Sequence, residues 1–408
     1  MVGSLDAIAS LSTGVPIILL ASACWDSVVP LNVHHIAKRF SVRGNSILFV
    51  ESTGLRAPVI TCSRDLRRVL RRLRDWRRGV RRVDDRLWVL SPLALPWNLP
   101  KPLRTASMRW VASAVARAAK SLKMDRPILW SFLPTYLAVA QRLPHRLFVY
   151  HCVDHYAANP GVDGPWIESL ERRTLDRSDL VIATSPVLAD RLARRRPSVQ
   201  LLPNVADVDL FSRAVTEDLP EPECLHGVPR PRLVYLGNLA AYRIDLELLL
   251  YLAQRNPNAH LLLIGVIGHG DTHAMPSSLK RLLACKNVHA LGVKPREALP
   301  AYLRHCDAGL IPFLDNEHTH GSLPLKLWEY VAAGLPVVAT DLPNFRELTH
   351  LGIVRTASGA GAFNDALQEA LSDSSDSRHR RLQIARNHDW KQRIDELAAI
   401  LGTALGKA

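Results

Sequence analysis

Gly321-Ser322-Leu323-Pro324-Leu325-Lys326-Leu327-Trp328-Glu329-Tyr330-Val331-Ala332-Ala333-Gly334-Leu335-Pro336-Val337-Val338-Ala339-Thr340 is the stretch on which the reading of this chain turns. Gly321 and Ser322 form a small-residue loop, Pro324 suits the first turn of a helix, Gly334 suits its end, and the run from Pro336 to Ala339 reads as a strand. A helix that starts after such a loop presents unpaired N–H groups and the positive end of its dipole, a ready site for a diphosphate. Lys326 adds a full positive charge to the first turn, where the dipole by itself favours an acid, so an anionic ligand is expected. Glu329 follows about one turn later and can accept from a pair of ribose hydroxyls; an ordinary i,i+3 pair with Lys326 is the alternative.

Outward from this segment, short apolar runs alternate with amphipathic stretches, the pattern of parallel sheets covered by helices. Strands are read at Pro16–Ala21, Ser46–Val50, Leu87–Leu90, Ile128–Ser131, Leu147–Cys152, Leu180–Ala183 and Gln200–Leu202, then at Leu233–Leu236, His260–Ile264, Val288–Leu291, Ala308–Pro312 and Pro336–Ala339. The expected fold is α/β, with two doubly wound, Rossmann-like parallel-sheet domains. Residues 1–211 form the N-terminal domain in this reading and 212–231, rich in Pro and acid, a linker; 232–376 form the C-terminal, nucleotide-binding domain and 377–408 a helical tail packing back toward the first. Open sheets of this kind bind ligands at the C-terminal ends of their strands, so a central cleft faced by both is the expected site.

The chain has 408 residues, 48% hydrophobic and 22% charged, which excludes a stapled mini-protein and global disorder. The longest apolar run, Val15 to Cys24, falls short of the ~20 residues of a membrane helix, and no basic segment precedes it, so neither a spanning segment nor a signal peptide is expected. Six cysteines without a CxxC pair fit a reducing cytosol.

Charge is unevenly shared: residues 1–200 carry 31 basic and 15 acidic side chains, whereas 201–408 carry 21 and 23. The first half therefore faces something anionic. The densest run, Arg64 to Arg82, has ten arginines against Asp65 and Asp75, with Leu66, Val69, Leu70, Leu73, Trp76 and Val80 at helix spacing. That composition suits a helix lying on an anionic membrane surface, or equally one packing its apolar face on its own domain.

Tyr150-His151-Cys152-Val153-Asp154-His155-Tyr156 falls where a strand of the first half ends. A carboxylate flanked by imidazoles there can take a proton from an acceptor hydroxyl, with His151 and His155 as the other candidate bases; a loop-capping Asp is the structural alternative. The Gly-free loop Cys24-Trp25-Asp26-Ser27-Val28-Val29-Pro30-Leu31-Asn32 offers Trp25, Asp26 and Asn32 to an acceptor, or simply caps the helix that follows.

The decisive segment resembles the nucleotide-sugar-binding signature of GT-B glycosyltransferases, the bacterial family-4-like, group 1 enzymes, including membrane-associated exopolysaccharide glycosyltransferases. Other blocks agree in order: Ile182-Ala183-Thr184-Ser185, Leu202-Pro203-Asn204-Val205-Ala206-Asp207, Tyr235-Leu236-Gly237-Asn238-Leu239, Leu263-Ile264-Gly265, and Asn287 to Gly292 before Glu297-Ala298-Leu299-Pro300-Ala301-Tyr302. The resemblance covers nearly the whole chain. It implies transfer of a hexose from a nucleoside diphosphate sugar, UDP favoured, to a hydroxyl acceptor on a lipid-linked or cell-surface glycan precursor, without metal or other cofactor. It also implies donor binding by Gly237, Arg243, Gly265, Gly321, Ser322, Leu323, Lys326 and Glu329, acceptor binding by the N-terminal domain, and a general base at Asp154. Two departures stand out: Gly321 occupies the place of the first of two glutamates eight positions apart, and Asn238 follows Gly237 where a basic residue is usual, with Arg243 as its substitute on the diphosphate. The sugar contacts and the anomeric outcome are therefore not carried over.

Asp207-Val208-Asp209 has metal-binding spacing but lies in an interdomain loop of such chains, and Gly265-Val266-Ile267-Gly268-His269-Gly270 has the wrong glycine order for a dinucleotide site. Asn316-Glu317-His318-Thr319-His320 reads as a mobile polar loop over the donor sugar. A sugar-nucleotide epimerase shares this architecture but needs no basic membrane face. A nucleic-acid-binding protein would need a stacking platform or reading helix, which the sequence lacks. The expected place is the cytoplasm, at the inner face of the cell membrane.

Overall fold

The computed structural model describes residues 12–27, 29–55, 73–95, 99–267, 275–374 and 376–407. The chain divides into two compact units, Met1–Leu202 with Arg393–Ala408, and Pro203–Gln392.

The first unit is built on an eight-stranded sheet, ordered β3-β4-β2-β1-β5-β6-β7-β8. Its strands are β1 (Ile17–Leu20), β2 (Ile47–Val50), β3 (Val80–Asp84), β4 (Leu87–Leu90), β5 (Ile128–Ser131), β6 (Leu147–Cys152), β7 (Leu180–Ala183) and β8 (Gln200–Leu201). All neighbours pair in parallel except β3 and β4. The central strands are continuous apolar runs, such as Ile-Ile-Leu-Leu and Ile-Leu-Phe-Val, buried at every position because both faces of a parallel sheet are covered. The chain runs from β1 to β2 on one side and later returns to β5 on the other, so the strand order reverses between β1 and β5.

The second unit has six parallel strands ordered β11-β10-β9-β12-β13-β14. They are β9 (Arg232–Leu236), β10 (His260–Ile264), β11 (Val288–Gly292), β12 (Ala308–Ile311), β13 (Val337–Thr340) and β14 (Val354–Ala357). Its order reverses between β9 and β12. In doubly wound sheets such reversal points, at the carboxyl ends of the strands, are where ligands bind.

Two expectations need correction, and one strand went unread. Residues 64–72 of the arginine-rich run lie outside the described residues, as do Val28, Gly268, His269 and Gly270; residues 73–77 are helical, but Val80, Arg81 and Arg82 belong to β3. Gly79, at φ 64°, ends the helical turn, and the following residues pair antiparallel with β4, Val80 opposite Leu90. The segment 212–231 is no free linker. It forms the helix Arg213–Thr216 and the 3-10 turn Glu223–Leu225, and it buries Ala214 and Leu225 in the core of the second unit. Arg232 holds it there, donating from Nε to the Val228 carbonyl (2.9 Å) and from Nη2 to that of Leu225 (3.1 Å). Finally, β14 escaped notice because its two middle residues are only half-buried and give no apolar run.

In the tail, helices run over Asp376–Ala385 and Trp390–Leu405. The part beginning at Arg393 groups with the first unit, where Asp395 pairs with Arg43 at 2.6 Å and the Ala398 carbonyl accepts from Ser12.

Candidate active site

At the reversal point of the second unit, the helix Leu325–Ala332 begins directly after Pro324 and is fastened to the sheet by Tyr330. The Tyr330 hydroxyl accepts from the Leu236 N–H (2.7 Å) and lies 3.3 Å from the Val234 carbonyl, both on β9. Its ring fills the space over Gly309 of β12, where a Cβ would come within 2.6 Å of it. The loop leading into the helix is held from two sides: Asn204 donates to the Leu323 carbonyl, and Asn344 donates to the carbonyls of His320 (2.6 Å) and Ser322 (3.3 Å). Gly321, Ser322 and Leu323 are all buried.

This fastening brings two cations together. Lys326 Nζ lies 3.8 Å from the centre of the Tyr235 ring and 5.7 Å from that of Phe313. The Arg243 guanidinium lies 4.8 Å from the Phe313 ring and donates from Nη2 to the Ser322 hydroxyl. Burial, followed by the charge of Arg243, holds the Lys326 ammonium well below the ordinary lysine pKa, with Glu329 opposing. Gly237 closes the site from beneath, since a Cβ there would sit 3.0 Å from Lys326 Nζ. Gly265 has a different neighbour: the close approach it permits is to the backbone of Gly237.

Glu329 is buried, and its partner is Arg296 rather than Lys326: Arg296 Nη1 donates to Glu329 Oε1 at 2.8 Å. Reading from the sequence missed Arg296, which lies 33 positions away with no local signal.

The expected mobile loop over the sugar is instead the one-turn helix Glu317–His320, closed by a reciprocal capping box between Asn316 and Thr319. Thr319 and His318 are buried, the latter edge-on to Tyr242 at 5.5 Å. Asp207 stands at the start of the helix Val208–Phe211, whose first N–H donates to Asp389 (2.9 Å). Among the described residues no group of three or more His, Cys, Asp or Glu is placed to hold a metal ion.

In the first unit, Asp154 follows the end of β6 and is half-exposed, with Oδ1 accepting from the His155 N–H at 3.1 Å. The next residue but one, Tyr156, is buried and bonded to Ser22 beyond β1, which joins the loops after β1 and β6. His155 is also buried.

His151 is displaced from the role expected of it. The ring is 3% exposed and stacks on Phe132 at 5.0 Å, and the Trp130 indole N–H donates to its Nδ1 at 3.3 Å. With Nδ1 occupied as an acceptor, the proton of the neutral ring sits on Nε2. Burial, helped by the charge of Arg393, lowers its pKa to about 3, so it is too weak a base for a hydroxyl proton.

The expected acceptor residues separate in the same way. Asp26 is exposed and paired with Arg81 at 2.7 Å. Trp25 is half-buried, its ring edge-on to Phe49 at 5.1 Å, and its backbone N–H donates to Glu51 Oε1 at 2.7 Å. Asn32 is buried at the first position of the helix Asn32–Val42 and does not face outward as expected. Glu51, at the end of β2, went unnoticed in the sequence. It is buried, takes the Ser91 hydroxyl on Oε2 at 2.7 Å, and lies 3.7 Å from Arg81, so it sets the loop that carries Trp25 and Asp26.

Two known families match the chain, each largely within one unit. Residues 230–373 match the family of group 1 glycosyl transferases, and residues 79–210 match Glycosyltransferase Family 4. TuaH of Bacillus subtilis, named for teichuronic acid biosynthesis as a glycosyltransferase, is 25% identical over 285 residues, 65% of this chain and 69% of that one. A phosphatidyl-myo-inositol mannosyltransferase of Mycobacterium tuberculosis is 28% identical over 227 residues; the match takes in 50% of this chain and 54% of that protein. The structure of HepE from Anabaena, in complex with UDP and glucose, superposes with a TM-score of 0.61 at 17% identity, covering 95% of this chain and 98% of that one.

Proposed function

We propose that this chain, a GT-B glycosyltransferase of the family-4-like group, transfers a hexose from a UDP-sugar to a hydroxyl of a lipid-linked or cell-surface glycan precursor. The observation that carries the donor half is the convergence of Lys326 and Arg243 at the reversal point of the second sheet, with Ser322 and Gly237 beside them. Two cations brought together in a half-buried place repel each other, and a diphosphate between them would relieve that cost. Glu329 then takes the ribose. UDP is favoured because HepE, which shares the fold, binds it, and a cell-surface acceptor because TuaH is named for such a polymer.

As the sugar–phosphate bond breaks, charge develops on the leaving diphosphate, and Lys326 and Arg243 are positioned to stabilise it without a metal ion. In the first unit, Asp154 is the group assigned to take the acceptor's proton, and Trp25, Asp26 and Arg81 form the polar rim offered to the acceptor. A lipid-linked acceptor fits the charge of this unit. The helix Lys101–Ser121 carries five basic residues and no acid, with Leu103 and Trp110 exposed on it. We therefore place the enzyme on the cytoplasmic membrane face, bound peripherally; no helix among the described residues is long and apolar enough to cross a membrane.

Calorimetric titration with UDP, GDP, ADP and dTDP tests the donor site. Lys326→Ala and Glu329→Ala should each weaken binding of the preferred nucleotide about ten- to a hundredfold, the loss of a charged hydrogen-bond partner being worth about 1.5–3 kcal/mol. Unchanged affinity in both variants would refute the assignment.

A further inference from the structure

Glu329 has an acceptor oxygen to spare, and Arg296 decides which one. The pair joins the helix Leu325–Ala332 to the 3-10 turn Arg296–Ala298, with the two side chains only 15% (Arg296) and 9% (Glu329) exposed. The guanidinium of Arg296 also lies 5.0 Å from the centre of the Phe211 ring, so it is held by an aromatic face as well as by the carboxylate. Lys326, one turn earlier on the same helix, is engaged with the Tyr235 ring instead. Among the described residues, Oε1 receives Arg296 while no hydrogen bond reaches Oε2, and Oε2 is not among the buried atoms left without a partner.

A carboxylate at the end of a glutamate turns broadly about its last torsion. A charge-assisted hydrogen bond to one oxygen removes that freedom and fixes the direction of the other. An acceptor already fixed in direction loses less entropy on binding a hydroxyl than one that must first be ordered. Burying the carboxylate without a cation would in addition carry a heavy desolvation cost, which Arg296 offsets.

We propose that Arg296 is a positioning residue of the donor site: by holding Oε1 it presents Oε2 to the vicinal 2′- and 3′-hydroxyls of a ribose, which makes the site selective for ribonucleoside diphosphates over their deoxy forms. This rests on the nucleotide-donor reading above. Arg296 touches no substrate in this arrangement. It acts through Glu329.

The test is calorimetric titration of the full chain with UDP and 2′,3′-dideoxy-UDP, and with the matching GDP and ADP pairs. The wild type should bind its ribonucleotide at least about tenfold tighter than the dideoxy form. Arg296→Met should bring that ratio to within about threefold of unity while leaving the dideoxy affinity nearly unchanged, and Arg296→Lys, which keeps a charged donor, should retain part of the preference. Melting curves of both variants check the fold. A wild-type preference that persists in Arg296→Met overturns the inference and leaves the donor reading standing; a wild type that binds ribo and dideoxy forms equally overturns the inference together with the ribose role of Glu329, and leaves the diphosphate site at Lys326 and Arg243 standing. If no nucleotide binds the wild type, the donor reading falls and the inference with it.

Discussion

A Cβ placed on Gly265 would lie 2.0 Å from the carbonyl oxygen of Gly237. The two glycines end adjacent parallel strands, β10 and β9, and the Gly237 N–H donates to the Ile264 carbonyl at 2.8 Å, so the backbone under Lys326 exists only because position 265 has no side chain. Gly265 also sits at φ 143°, where other residues are strained. Gly265→Ala should therefore destabilise the second unit by about 2–4 kcal/mol, combining overpacking with backbone strain. Thermal unfolding of the purified variant reads this, and a melting temperature within a degree of wild type would contradict it.

In the proposed donor site, Lys326 should make nucleotide binding depend on pH. Burial first, and Arg243 next, hold its pKa well below the ordinary value of 10.5 in the free protein. A diphosphate favours the charged ammonium and raises the pKa, so the bound state holds more proton between the two values. Affinity should be greatest below the free-state pKa and should fall as pH rises through the window up to the bound-state pKa. Calorimetry in buffers of different ionisation enthalpy should show proton uptake on binding, absent in Lys326→Met. An uptake equal in the two proteins would place the titrating group elsewhere.

Asp154→Asn should abolish transfer while leaving nucleotide affinity within about twofold of wild type, because proton abstraction matters only as the acceptor attacks. EDTA should leave the wild-type rate unchanged. Full turnover in Asp154→Asn would mean that the chemistry proceeds without this base. His151 is a poor replacement, given its burial and its occupied Nδ1.

The proposed membrane association should be electrostatic. Flotation with vesicles containing anionic phosphatidylglycerol should carry the protein upward at low salt, and neutral phosphatidylcholine vesicles should not. Each basic residue near an anionic surface contributes about 1 kcal/mol, so the combined changes Arg74→Glu, Arg78→Glu and Arg109→Glu should release most of it. Equal recovery in the unbound fraction with both lipids would point to a soluble acceptor.

The sequence determined the local elements and marked the charges on which the proposed chemistry rests. Apolar runs such as Ile17–Leu20 and Val337–Ala339 have few ways to be buried other than as strands covered on both faces, and Pro324, Gly334 and the residues between them specify a helix start and stop by steric rules that act within a few residues. Lys326 and Glu329 were legible for the same reason, as charges where a buried helix would not otherwise carry them. The tertiary structure decided the partners. Glu329 meets Arg296 and not its i,i+3 neighbour, His151 is turned into an aromatic stack, Asn32 faces inward, and 212–231 joins a core. Each of these depends on which strands lie side by side, β9 against β12 or β5 against β6, and strand order comes from how whole layers pack rather than from any periodicity a short stretch of chain can display.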